Sequence, residues 1–262
     1  MRRDVTKRDE MTGIFSEFAI RRRTIAACVL VASLVFFSGA WRAGTVGASS
    51  GSQASVPVTY KLQVSDAPPP QELSQAVREA LNPDSLHVIS ENGSFCHIWL
   101  RRDIPPGATL NRGIGIAFPQ LAVGTLIGAI RFESGANDYR NQIINPGVYT
   151  LRYDLQPTDG NHQGTAPFRD FLLLVPSSVD ATPGVMKETD LLDASRKTTG
   201  TTHPAVLSLV PAENAPVAIP ALSHIEGDLW VLFFRAAVPA GAASPGPTVM
   251  GLVIAGHAAE NH

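Results

Sequence analysis

Residues 146–176 read PGVYTLRYDLQPTDGNHQGTAPFRDFLLLVP, and the two ends of this stretch decide the fold. In the first, Tyr149, Leu151, Tyr153 and Leu155 alternate with Thr150, Arg152 and Asp154. That period of two puts successive side chains on opposite faces of a strand. In the second, Phe168 to Val175 is nearly all apolar, as a central strand covered on both faces would be. The two strands are expected to be sheet neighbours. Between them, residues 157–167 form a polar loop carrying Asp159 and His162, with Arg169 and Asp170 opening the second strand. Loops of this length without secondary structure are uncommon in compact domains and often functional.

On the N-terminal side, Val58 to Val64 alternates, with Val58, Tyr60, Leu62 and Val64 sharing one face. Leu73, Ala76, Val77, Ala80 and Leu81 recur at helical spacing and predict a helix over 71–82, ended by Asn82-Pro83. Leu86–Ser90 and Phe95–Arg101 flank Glu91-Asn92-Gly93-Ser94, a hairpin signal because Asn and Gly both tolerate positive φ. Gly124 to Phe132 reads as a buried strand. On the C-terminal side, Asp190 to Lys197 predicts a short helix capped by Thr189. Val206–Val210, Asp228–Val238 and Val249–Ala255 read as three strands, the last two joined by a Pro/Gly/Ala-rich loop. Short strands broken by Pro and Gly predict a mostly-β single domain. The expected architecture is an antiparallel β-sandwich of two sheets with one or two short helices.

The chain ahead of this domain has a different character. None of its 20 prolines precedes Pro57, and Arg21-Arg22-Arg23 leads directly into the apolar run Thr24 to Trp41. Basic residues, an apolar core and then small residues form the layout of a secretory signal. Cleavage is expected after Ala48 in preference to Ala40, which divides the chain into a leader, 1–48, and an extracytoplasmic domain, 49–262. Arg22-Arg23-Thr24-Ile25 also resembles a twin-arginine signal. The competing expectation is an uncleaved anchor with a cytoplasmic N-terminus, residues 24–41 being just long enough to span about 30 Å of hydrocarbon. Either way the domain is exported: periplasmic, secreted or at the cell surface.

The whole chain carries 21 Lys/Arg against 23 Asp/Glu. Eight of the basic and four of the acidic residues precede Ser49, leaving 13 against 19, a net charge of −6 on the domain. An acidic domain without a basic cluster speaks against nucleic acid as a partner. Cys96 is its one cysteine, so no disulfide forms within it and a packed core must supply stability.

Familiar reactive motifs are missing. Gly47-Ala48-Ser49-Ser50-Gly51 has the letters of a nucleophile elbow but no strand before it. Gly113-Ile114-Gly115 lacks a third glycine, and Cys96 and His97 must point to opposite faces of one strand. His162, His203, His224 and His257 fall at strand ends or in loops, where side chains can converge at one rim, so an alternative reading gives them a transition metal such as zinc. Arg169-Asp170 predicts a structural ion pair, Arg152 with Asp170 or Asp154 with Arg169, because a buried charge needs a partner.

The segments PGVYTLRYDLQPTDGNHQGTAPFRDFLLLVP, GTTHPAVLSL and VIAGHAA together resemble a pattern in exported bacterial hypothetical proteins. The resemblance spans roughly residues 58–258. It implies export and a compact β-rich domain, and no activity, substrate or cofactor. The leading expectation is therefore a binding or structural module without a cofactor, its small ligand or protein partner met by Asp159, His162, Arg169, Asp170 and His203. A metal-dependent enzyme or carrier and a membrane-tethered component of a surface assembly are the alternatives.

Overall fold

The computed structural model describes residues 58–105, 107, 111, 113–158, 166, 168–238 and 248–258. The leader, Asp159 and His162 lie outside them. Among the described residues no helix is long and apolar enough to cross a membrane.

The strands are β1 (Tyr60–Ser65), β2 (Ser85–Ser90), β3 (Gly93–Leu100), β4 (Leu126–Phe132), β5 (Ala136–Asn137), β6 (Ile143–Ile144), β7 (Gly147–Leu155), β8 (Asp170–Pro176), β9 (Val206–Val210), β10 (Ala221–Ile225), β11 (Leu229–Ala236) and β12 (Thr248–Ala255). Helix α1 (Gln75–Ala80) precedes β2, and α2 (Glu188–Thr199) joins β8 to β9. Apart from the small β5–β6 hairpin, the strands form one sheet ordered β1-β2-β3-β4-β7-β8-β9-β12-β11-β10. All its pairings are antiparallel.

The mostly-β antiparallel expectation holds, but the strands make one continuous sheet instead of two. Short β9 is the reason. It pairs with β8 through Val206–Ser208 and with β12 through Leu209 and Val210, and so stitches the halves together. After β9 the chain crosses to the far edge, lays down β10, and returns through β11 and β12. The edge strands β1 and β10 then meet without a ladder between them, and Tyr60 packs edge-on against Trp230 of the neighbouring β11 with ring centroids 5.3 Å apart. The sheet is rolled and nearly closed.

Its inner face buries one core drawn from both halves, including Val88, Ile98, Ile130, Leu151, Leu172, Leu207, Phe234 and Leu252. Two helices cover separate patches of the outer face. Leu73, Val77 and Leu81 around α1 pack on Trp99, Leu126, Ala129 and Val148. Leu191 and Ala194 of α2 pack with Phe171, Leu173, Val175 and Val206. A strand covered on both sides is apolar throughout, which is why Phe171–Val175 has no alternation.

Local differences have local causes. Helix α1 begins at Gln75 because Ser74 Oγ accepts the Val77 amide at 3.2 Å. Helix α2 starts at Glu188, ahead of the expected Thr189 cap. Lys187 takes the cap position with no side-chain bond, while Glu188 and Asp190 complement the first turn's exposed amides. In the β2–β3 hairpin only Gly93 has a positive φ (108°), and a bulge at Phe95 of β3, opposite Val88 and Ile89, absorbs the extra residue. Val64, expected on the buried face, is 67% exposed near the end of an edge strand. No run of clear alternation marks β10, whose side chains are all partly or fully exposed.

Candidate functional site

Strand β7 is where structure and chemistry meet. Its Tyr149, Leu151 and Tyr153 point into the sheet core as the alternation predicts, and β8 is its neighbour, pairing Arg152 with Leu173 and Asp154 with Phe171. Thr150, Arg152 and Asp154 therefore stand on the outer face, and all three are buried.

Arg152 is fully satisfied. Its guanidinium grips Asp180 through Nε (2.6 Å) and Nη2 (2.7 Å). The remaining N–H groups donate to the carbonyls of Gly124 (2.6 Å), Gly184 (2.7 Å) and Thr182 (2.6 Å). All five guanidinium donors have acceptors. Asp180 also accepts from Thr150 Oγ1. Gly124 has φ +85°, and a Cβ there would lie 1.9 Å from the Met186 carbonyl, so only glycine allows loop 180–186 to close over Arg152.

The expected ion pairs of Arg152 with Asp170 and of Asp154 with Arg169 do not form. Asp170, fully buried, accepts the amides of Ala117 (2.7 Å) and Phe118 (3.0 Å) and the Tyr153 hydroxyl (2.6 Å), pinning loop 117–118 to the sheet. Burial first, then the Asp170 charge and this hydrogen bond, push the Tyr153 phenol upward. Arg169 spends Nε and Nη2 on the Gln156 carbonyl at 3.0 and 2.8 Å. Among the described residues the acceptor of its guanidinium is this backbone carbonyl and not a carboxylate.

Asp154 is the exception on this strand. It is 6% exposed, and among the described residues its carboxylate accepts one hydrogen bond, from the Leu155 amide at 2.8 Å. Burial raises its pKa to about 6, the Leu155 amide lowering it and the charge of Glu188 adding to the rise. Asp154 lines an open cleft of about 730 Å³ together with Leu155, Gln156 and Pro157.

The cleft's floor is apolar, with Leu155, Phe171, Leu173, Val206 and Leu192, while Arg140, Arg196, His203 and His257 are its basic members. Asp138 builds one wall. Fully buried, it accepts from the amides of Arg140 (2.9 Å), Gln142 (2.8 Å) and Val206 (3.0 Å) and from Gln142 Nε2 (2.8 Å). This fixes the tight turn that carries Tyr139 and Arg140. The Tyr139 carbonyl then accepts the Ala258 amide at 2.9 Å, which brings His257 to the cleft. Helix α2 supplies Arg196, ends at left-handed Gly200, and the Thr199 and Thr201 hydroxyls hold the turn that presents His203. Arg140 Nη1 donates to His203 Nδ1 at 3.3 Å.

Of the histidines singled out from sequence, His203 and His257 therefore share the cleft. His224 is not among its lining residues. It bonds Asp228 Oδ1 at 2.7 Å and stacks on Trp230 with centroids 4.8 Å apart. Among the described residues no group of three or more His, Cys, Asp and Glu side chains could hold a metal. Arg169 and Asp170 serve the fold. No sequence pattern singles out Tyr139, Arg140 or Arg196, which reach the cleft through a turn and a helix end. Asp154 carried a signal: an acidic residue on a strand paired with an all-apolar one must be buried.

No family model, curated protein or solved structure matches this chain.

Proposed function

We propose that the protein is an exported binding module whose outer-face cleft takes a small amphipathic molecule. The observation that carries this reading is the pairing of an apolar floor with basic residues in a cleft of about 730 Å³, within the roughly 300–1,000 Å³ usual for ligand sites. An aromatic or branched body covers Phe171, Leu173 and Leu192, and an anionic group meets Arg140 and Arg196. Export rests on the basic flank and apolar run of residues 21–41, and N-terminal sequencing of exported protein separates a cleaved leader from a retained anchor.

The test is ligand-observed NMR on the purified protein with 4-ethylbenzoate, a flat apolar body bearing one carboxylate. Saturable binding is expected, and Leu192→Trp, which fills the apolar floor of the cleft, should abolish it without lowering the unfolding temperature. No binding to the wild type at millimolar concentration, either by 4-ethylbenzoate or by its 4-(aminomethyl) analogue, overturns the reading. A transition metal on His203 and His257 is the competing occupant, since both line the cleft. Metal content below about 0.1 equivalent after reconstitution would remove it.

A further inference from the structure

We infer that the floor of this cleft reads a protonated amine, making the preferred ligand an apolar body with an ammonium group at one end and an acidic group at the other. The inference rests on the cleft being a small-molecule site and adds what the ligand must carry.

Asp154 supplies the first reason. A carboxylate this buried, with one local amide as its described partner, is not needed by the fold around it. An apolar ligand pressed onto it would remove what water it retains and return nothing, which is costly for an ionised group. A ligand that brings a cation turns that cost into a short charge-assisted bond.

The aromatic pair beside it supplies the second. Phe171 is the cross-strand partner of Asp154, and Tyr139 stands over Phe171 with ring centroids 6.3 Å apart and planes tilted by 55°. Both rings line the cleft. A carboxylate with one aromatic ring at its cross-strand position and a second against that ring offers an ammonium group a counter-charge and ring faces, whose negative potential attracts cations. Neither feature favours an anion, so the acidic end of the ligand belongs at Arg140 and Arg196.

The groups around Asp154 set how pH acts. Helix α2 contributes Glu188 and Arg196, the 138–142 turn Tyr139 and Arg140, and the loops His203 and His257. Glu188 is the one whose charge acts on Asp154, and its sign favours a nearby cation. Amine binding requires ionised Asp154. It is therefore full above about pH 6 and fades as pH falls below it.

The experiment compares 4-(aminomethyl)benzoate with 4-ethylbenzoate, which have the same outline and differ in the amine. Isothermal titration of wild type near pH 7.5 should show the amine compound binding at least about tenfold tighter, as expected for one desolvated charge pair. The advantage should shrink to less than about twofold near pH 5, and be absent at both pH values in Asp154→Asn, which should bind 4-ethylbenzoate at least as tightly as wild type near pH 7.5 because it has no ionised carboxylate left to desolvate. Equal affinities of the two compounds for wild type near pH 7.5 would overturn the inference and leave the binding-module reading standing. An amine advantage that persists in Asp154→Asn would overturn it as well, assigning the preference to the rings alone. Failure of both compounds to bind wild type removes the underlying reading.

Discussion

Arg152 and Asp154 sit two residues apart on the same face of the same strand, and they have opposite circumstances. Each is buried and each bears a charge. Arg152 meets an acceptor with every N–H it has, closed over by loop 180–186. Asp154 meets the amide of its own neighbour and an open cleft. Burial costs a charge several kcal/mol unless partners replace the lost water. A site that answers that cost in full is structural. One that leaves it standing has kept room for something else.

The comparison breaks most visibly on the structural side. Asp180→Ala should destabilise the protein by about 3–5 kcal/mol in a denaturant titration, because it strands the Arg152 guanidinium in the interior. The double variant Arg152→Met, Asp180→Leu is expected to lose much less, since no charge is then left unpaired. Asp170→Ala should cost about 2–3 kcal/mol, the amides of Ala117 and Phe118 and the Tyr153 hydroxyl losing their common acceptor.

The functional side should behave with the opposite sign. The unfolded chain ionises Asp154 near its ordinary 3.8, and the folded protein not until about 6, so folding stability from this residue falls as pH rises through that window. Asp154→Asn is accordingly expected to raise stability by about 2 kcal/mol at pH 7, and to make little difference below the ordinary value. Thermal unfolding of the two proteins at both pH values is the check. A destabilised variant at pH 7 would mean that Asp154 is a structural group like Arg152. The smallest effect belongs to Arg140→Ala at the mouth of the cleft. It should leave stability within about 0.5 kcal/mol while weakening 4-ethylbenzoate binding several-fold.

Much of this contrast was legible in the chain. The alternation of β7, the apolar run of β8, their adjacency and the burial of charges between them follow from periodicity alone. What does not follow is which partner each charge finds. Asp180 sits in a loop of Pro, Gly and small residues with no pattern to tie it to Arg152, and only the turn at Gly124 brings it there. Arg169 and Asp170, adjacent in sequence and expected to pair with the β7 charges, were met first by backbone groups that sequence cannot place. The cleft escaped notice for a similar reason. Its walls come from a turn, a helix end and the last strand's tail, and one buried residue, Asp138, fixes the turn against the start of β9. The continuous sheet was equally hidden, because β9 carries both of its pairings in five residues.

The seam between β1 and β10 has a consequence for how the molecule opens. Everywhere else along the rolled sheet, neighbouring strands exchange backbone hydrogen bonds. Here β1 and β10 lie side by side without a ladder, and Tyr60 of β1 packs against Trp230 of β11, the strand inside β10. Each edge strand therefore has alternate amides bonded inward, to β2 or β11, and alternate amides facing the seam. Hydrogen–deuterium exchange should reproduce that alternation along β1 and β10, with fast and slow amides in succession, while β7 and β8 at the middle of the sheet exchange only through global unfolding. The roll would then unfurl from a fixed line on its surface, well away from the strand that carries Arg152 and Asp154.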